Sequence, residues 1–252
     1  MTLEEVEDKT RRSRLRMKAT GLIPGLVLLI TLILTYTTYS DSYHLTEDEV
    51  ELEQAISDYI PNQKVNAKVE LVQKINDWMY VIYSDNRYDD CFMGMVLLKR
   101  GFNGRYIIRS TQYGSAIPIH LDKNVDNVNQ VIIYGMIQDG RAVRYEYAKS
   151  IQDLYYEVMY KGNIDQKTFF HIQENKGYWM TGFRLFDAQG MDITDDYLSK
   201  QRKDSPSGSV TTAEIFMVDV ECLMILFLGV GLTVGIHKKI KRVNKVKHEF
   251  YD

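Results

Sequence analysis

The segment "AEIFMVDVECLMILFLGVGLTVGIHKKIKR", Ala213–Arg242, decides the architecture of the chain, because it must be settled whether it is a membrane span when Glu214, Asp219 and Glu221 sit in its first third. From Cys222 to Ile236 it carries no charge and contains three glycines, and a block of lysines and arginines follows. Counting back about 20 residues from Lys238, at 1.5 Å per residue, covers the ~30 Å of a bilayer's hydrocarbon and reaches Val218. Asp219 then sits at the outer boundary, Glu221 half a helical turn deeper, and Glu214 outside. An acid at the bilayer centre costs roughly 2.5–3.5 kcal/mol on insertion scales, but at this depth tilt, local water or protonation can accommodate it. The expectation is a transmembrane helix over 214–236 with an acidic outer shoulder. Asp219 and Glu221 are interfacial groups on one reading and contacts to an intramembrane partner on the other.

A second apolar run, "GLIPGLVLLITLILTYTTYS", spans Gly21–Ser40 without a charge. Its length again matches the hydrocarbon thickness. Pro24 and Gly25 fall near its start, where a helix tolerates them, and Tyr36 and Tyr39 stand where an aromatic belt would place them. The following "TYTTYSDSYH" lacks the small-x-small pattern of a signal-peptide cleavage site, so a retained anchor is expected. "KTRRSRLRMK" precedes this run and "HKKIKRVNKVK" follows the other. Short basic flanks stay on the cytoplasmic side. Residues 1–20 and 237–252 are therefore expected in the cytoplasm of a cell membrane, in contact with anionic lipid, and the 173 residues of 41–213 outside it. These tails are too short for a catalytic domain, so any signal passing inward needs a membrane partner.

Two glycine pairs complete the reading of the spans. Gly21 with Gly25, and Gly231 with Gly235, each form G-x-x-x-G at matching depth near the cytoplasmic side. Small residues four apart let helices approach closely, so the spans are expected to pack on each other or on another membrane protein.

The intervening stretch holds 19 basic and 25 acidic residues, a balance of −6 that offers no clustered positive charge for nucleic acid. "HLTEDEVELEQAISDYIPNQ" opens it with an amphipathic helix. Thr46 and Glu49 have capping-box spacing, Val50, Ala55, Ile56 and Tyr59 form the apolar stripe, and Pro61 stops the helix. Strand patterns follow in "VNAKVELVQKI", "DWMYVIYSD", "CFMGMVLLKRGFNGRYIIRSTQYG", "DLYYEVMY", "KTFFHIQE" and "YWMTGFRLF". "VNQVIIYGMIQDGRAVRYEYA" reads as a hairpin turning at Asp139-Gly140. The fold class is thus a membrane-anchored α+β protein with a mainly antiparallel β domain over 41–203. "PIHLDKNVDNVN" (118–129) is a boundary or a long loop within it, and 204–213 a flexible tether.

"LLKRGFNGRYIIRSTQYG", "VIIYGMIQDGRAVRYEYA" and "RLFDAQGMDIT" together resemble a pattern in uncharacterised two-span membrane proteins of Gram-positive bacteria of the Bacillus–Clostridium group. The resemblance covers roughly residues 65–195 and rests on hairpin and turn positions. It implies a bacterial cell-surface setting and an exported α+β domain, and it carries over no catalytic residue.

Chemistry is sparse. His44, His120 and His171 are scattered across the central region without metal-ligand spacing, and "SDNRYDD" (84–90) lacks the alternation and glycine of a calcium loop. A His120/Asp122 pair, two apart on a strand, is an ordinary surface arrangement. Cys91 and Cys222, one in the domain and one in a span, have no evident meeting point for a disulfide. No cofactor, metal or catalytic motif is read. "YEYAKSIQDLYYEVMY" holds five of the chain's 18 tyrosines, which suit either cross-strand aromatic pairs or a contact surface. The functional expectation is an extracytoplasmic domain that binds a protein or ligand, in a sensory or accessory role. The alternative is a cell-envelope hydrolase with an unrecognised site.

Overall fold

The computed structural model describes residues 3–60, 65–85, 87, 93–115, 119–125, 128–151, 155–174, 182–200, 208–211 and 213–249. They form two compact units, one of 1–44 with 213–252 and the other of 45–212.

The first unit is a helix pair, α1 (Leu3–Ser42) and α4 (Glu214–Glu249). At 1.5 Å per residue each exceeds the ~30 Å hydrocarbon thickness. The apolar stretches are Leu22–Ser42 and Glu214–Val243, long and apolar enough to cross a membrane. The helices do not stop where the charges begin: the basic segments continue them at both ends. Pro24, expected in a first turn, therefore lies inside α1. It removes one i→i−4 bond, and the rest of a long helix carries the geometry across.

The second unit opens with α2 (Glu49–Tyr59). Its N-cap is Asp48, not Thr46: the Asp48 carboxylate accepts the Glu51 amide at 3.0 Å. Thr46 accepts the Asp48 amide at 3.2 Å and donates to the Glu51 carboxylate, so the capping network is real but displaced by two residues. A carboxylate two positions closer to the first free amides outcompetes the hydroxyl. Pro61 lies outside the described residues. Leu52 and Ile56 are fully buried, each contributing roughly 1.5–3 kcal/mol.

Three antiparallel sheets follow. The largest, here sheet A, has the order β1 (Ala67–Ile75), β2 (Trp78–Asp85), β3 (Met93–Arg100), β4 (Tyr106–Ser115), β11 (Gly208–Thr211). Sheet B comprises β5 (Ile119–Val125), β6 (Val128–Met136) and β9 (Thr168–Glu174), with β6 central. Sheet C comprises β10 (Gly182–Phe186), β7 (Arg144–Ile151) and β8 (Tyr155–Asn163), with β7 central. A short helix, α3 (Thr194–Lys200), follows the turn at Gly190.

Side-chain alternation stacks these into layers. On β2, Met79, Val81 and Tyr83 join Leu52 and Ile56 of α2, while Tyr80 and Ile82 face Ile132, Tyr134 and Met136 of β6. On β6, Val131 and Ile133 turn the other way, onto Tyr145, Tyr147 and Leu185 of sheet C. The order is α2, sheet A, sheet B, sheet C. Sheets A and B are covered on both faces, which is why β2 reads as an almost unbroken apolar run instead of alternating.

Three features differ from the sequence reading. Asp139-Gly140 is a turn, with Gly140 at φ 63°, but it does not close a hairpin. The strand before it, β6, pairs with β5 and β9, and the strand after it, β7, with β8 and β10, so the turn passes the chain from sheet B to sheet C. A glycine that supplies positive φ permits a reversal without choosing the pairing partner. Within 118–129, β5 and the start of β6 form a hairpin that begins the transfer from sheet A to sheet B. Within 204–213, Gly208–Thr211 pairs antiparallel with β4 and so belongs to the edge of sheet A.

Tyrosines explain much of the packing. Tyr80, Tyr83, Tyr134, Tyr145 and Tyr160 are among the largest fully buried side chains. Tyr83 lies directly opposite Gly94, Tyr145 opposite Gly162, and Tyr113 opposite Gly208. In each pair the ring lies over the glycine: a Cβ there would come within 2.1, 2.6 and 3.0 Å of the tyrosine, respectively. The absent side chain is the space the ring fills, a cross-strand aromatic–glycine pair used three times. Of the two sequence readings, these described tyrosines follow cross-strand pairing.

Candidate functional site: the helix pair and the polar clusters

The helices α1 and α4 pack antiparallel along a seam of small and β-branched residues. On α1 the inward positions are Pro24, Val27, Thr31, Thr35, Thr38 and Ser42, and on α4 Ile215, Val218, Cys222, Gly229, Thr233 and Ile236. Both sets recur every three or four residues, the spacing of one helix face, and Ile225 and Leu226, half-buried like Cys222, fill the step between Cys222 and Gly229. At the centre, Thr31 is 5% exposed and sits on Gly229, where a Cβ would come within 2.1 Å of its Oγ1. Towards the far end, Cys222 Sγ approaches the Thr35 carbonyl at 3.8 Å. The threonine hydroxyls are satisfied on their own helix: Thr31 donates to the Val27 carbonyl at 2.8 Å and Thr35 to the Thr31 carbonyl at 2.9 Å. Their methyl groups are then available for close packing.

The outer faces are the reverse. Leu22, Leu26, Leu29, Phe216, Phe227 and Leu228 are each more than half exposed. Among the described residues of the unit, these outward side chains are left uncovered.

The residues singled out in the sequence take different places. Gly25, Gly231 and Gly235 have nothing within 4 Å of where a Cβ would stand, so these three lie off the seam. Gly21 lies on α1, and its surroundings are outside the described residues. Gly231 and Gly235 line a shallow groove of α4 with Phe227, Leu228 and Leu232. Asp219 and Glu221 are exposed on the first turns of α4. The residues that sequence reasoning missed are Thr31 and Gly229. The signal was present in the Thr31–Thr35–Thr38–Ser42 stripe, which shares one helix face.

Within the β domain, three polar clusters stand out. Tyr145 of sheet C meets His171 Nδ1 at 2.9 Å and accepts from Gln173 at 3.2 Å, both on β9 of sheet B. Gln173 also donates to the Lys161 carbonyl at 3.1 Å, so the cluster ties sheet B to β8. Burial pushes the His171 imidazole below its ordinary value, against an opposing pull from Asp165, and burial raises the Tyr145 phenol to about 12. An imidazole bonded to a tyrosine hydroxyl and in tilted contact with the Phe169 and Tyr145 rings is a packed structural group.

Glu70 occupies the register break between Val69 and Leu71 on β1. There it accepts from Ser84 at 2.8 Å and pairs with Lys167 at 3.4 Å. Asp85, at the start of the acidic "SDNRYDD" segment, is 1% exposed. Arg87 grips it twice, at 3.0 and 2.6 Å, and that pairing offsets the cost of removing the carboxylate from water at the end of an interior strand. Asp89, Asp90 and Cys91 lie outside the described residues, as do the side chains of His120 and Asp122. Among the described residues, no three His, Cys, Asp or Glu side chains gather as a metal site.

Comparison with family models, with curated proteins and with solved structures finds no match to this chain.

Proposed function

We propose that this chain is a two-span membrane protein of the bacterial cell surface whose central β domain lies outside the cytoplasm and binds a protein or ligand, as a sensory or accessory subunit of a membrane complex. The observation that carries the reading is the helix pair: two antiparallel helices closed on each other through Thr31 and Gly229, with large apolar side chains turned outward on the rest of their surface. Lipid is the medium in which such a surface is stable, since in water it would be a large exposed apolar patch. The basic segments that continue each helix supply the orientation, with both ends on the cytoplasmic side. α4 runs on past its apolar stretch to Glu249, and a membrane partner would receive a signal on that side.

The test is protease treatment of intact cells that carry epitope tags at both ends. Cleavage within 45–212, with both tags protected until the membrane is opened, is the expected result. A central region that stays whole while the tags are accessible overturns the topology and the function built on it.

A further inference from the structure

Tyr145, His171 and Gln173 form a hydrogen-bond chain in which each proton has one place to go. Its fixed end is the Lys161 main-chain carbonyl on β8, which can only accept, and Gln173 lies 3.1 Å from it. Gln173 must therefore turn its amide nitrogen that way, and the second proton of the same nitrogen goes to the Tyr145 hydroxyl at 3.2 Å. Tyr145 has one proton of its own, and its acceptor is His171 Nδ1 at 2.9 Å. Nδ1 accepts, so the imidazole of this chain is neutral and carries its proton on Nε2. With Lys161 the chain joins β9 of sheet B to both β7 and β8 of sheet C.

Tyr145 cannot swing to a new partner. It is fully buried, lies across Gly162 and stacks on Phe169 with ring centroids 5.4 Å apart. A proton added to Nδ1 turns that atom from acceptor to donor. The Tyr145 oxygen can receive it, but the phenol proton then has no acceptor, because Gln173 presents only N–H. Rotating the Gln173 amide would supply an oxygen and would set it against the Lys161 carbonyl. Each rearrangement leaves a buried polar group unsatisfied, and breaking the chain is the way out.

We infer that this chain is an acid-sensitive clasp, in which protonation of His171 opens the junction between β9 of sheet B and β7 and β8 of sheet C. The clasp belongs to the β domain alone and gives it a response to protons, whichever side of a membrane it occupies. Burial holds the half-buried imidazole below its ordinary value, and Asp165, exposed before β9, pulls the other way. The other titratable groups around it are the phenols of Tyr147 on β7 and Tyr160 on β8, protonated throughout the acid range, and the exposed side chains of Lys161 on β8 and Glu174 on β9. On β6 the residue in register with His171 is Ile133, and beyond it on β5 stands His120. The unfolded chain takes up a proton at this position below about pH 6.5, while the folded chain resists it. Stability is therefore whole above that value and falls as pH drops below it, by up to about tenfold in the opening equilibrium per pH unit until the folded ring is protonated too.

The test is amide hydrogen exchange of the full chain in detergent at about pH 8 and about pH 5, on either side of the ordinary imidazole value, after correction for intrinsic rates. The expected result is that protection over β8 and β9, Tyr155–Asn163 and Thr168–Glu174, falls at the lower pH by about tenfold more than over β2 and β3, Trp78–Asp85 and Met93–Arg100. His171→Asn keeps an acceptor near Nδ1 and cannot titrate, so it should abolish the extra loss. Tyr145→Phe removes the proton that is left stranded, and should abolish it as well. Equal loss over sheet A and over β8 and β9 in the wild-type chain overturns the clasp without recourse to any variant. An extra loss that survives His171→Asn assigns the response to another group and overturns it. One that disappears with His171→Asn but survives Tyr145→Phe assigns it to burial of the ring alone, and overturns it too.

Discussion

Alanine at position 94 places a methyl group 2.1 Å from Cζ of Tyr83, inside the space the ring occupies. Tyr83 is fully buried between α2 and sheet A and meets the Thr111 hydroxyl at 3.2 Å, so it cannot swing outward. Overpacking of this kind costs about 1–3 kcal/mol, and loss of the Tyr83–Thr111 bond adds about 1. Gly94→Ala should therefore destabilise the β domain by about 3 kcal/mol, a fall in Tm of roughly 6–12 °C for a unit of this size. The two analogous pairs make the series diagnostic. At Gly162 the clash is 2.6 Å from the Tyr145 hydroxyl, and relief requires giving up its bonds to His171 and Gln173, at about 1–2 kcal/mol. At Gly208 the closest approach is 3.0 Å, to a tyrosine on the half-exposed face, and the backbone entropy regained on replacing glycine, about 0.5–1 kcal/mol, offsets most of it. Urea unfolding of the full chain in detergent, followed by tryptophan emission, should rank the variants Gly94 worst, Gly162 next and Gly208 near wild type. Tyr83→Ala combined with Gly94→Ala should recover part of the sum of the single losses, since the methyl then enters vacated space. Wild-type stability for Gly94→Ala, or a reversed ranking, would refute the account of these glycines as ring sites.

The remaining predictions concern other parts of the molecule. Thr35→Cys should form a disulfide with the native Cys222 under mild oxidation, and Gly229→Leu should abolish it while Gly231→Leu leaves it unchanged; equal cross-linking in both leucine variants would contradict the seam. Asp85→Ala should cost about 2 kcal/mol, less than a fully buried pair because the Arg87 side chain is 40% exposed and can rehydrate, and urea unfolding measures it. Alkaline pH should unfold the domain: burial raises the Tyr80 and Tyr145 phenols to about 12, so the folded state keeps protons that the unfolded state releases above its ordinary value near 10. Stability is then full below about pH 10 and falls as pH climbs towards 12, by up to about 1.4 kcal/mol per pH unit for each such tyrosine. Tyrosinate absorbance that rises smoothly at the ordinary value, ahead of unfolding, would sink this prediction.

The sequence by itself determined the elements whose signals are local. Charge-free runs of about 20 residues mark the two apolar helices, because hydrocarbon thickness sets that length independently of any neighbour. Capping acids, apolar periodicity and glycine turns mark α2 and most strands, since each depends on residues a few positions apart. The short helix α3 escaped, as did the strand at 208–211, because four to seven residues carry too little periodicity to register. What only the tertiary structure decided is which surfaces meet. Asp139-Gly140 announces a reversal equally well inside one sheet or between two, and the partner of β6 is chosen by Tyr134 and Ile133 finding cores on opposite faces. Glycine pairs Gly21/Gly25 and Gly231/Gly235 follow a helix-packing spacing, yet Thr31 rests on Gly229. Close packing depends on the shape of the opposing face, and that face is assembled from residues nearly two hundred positions away in the chain.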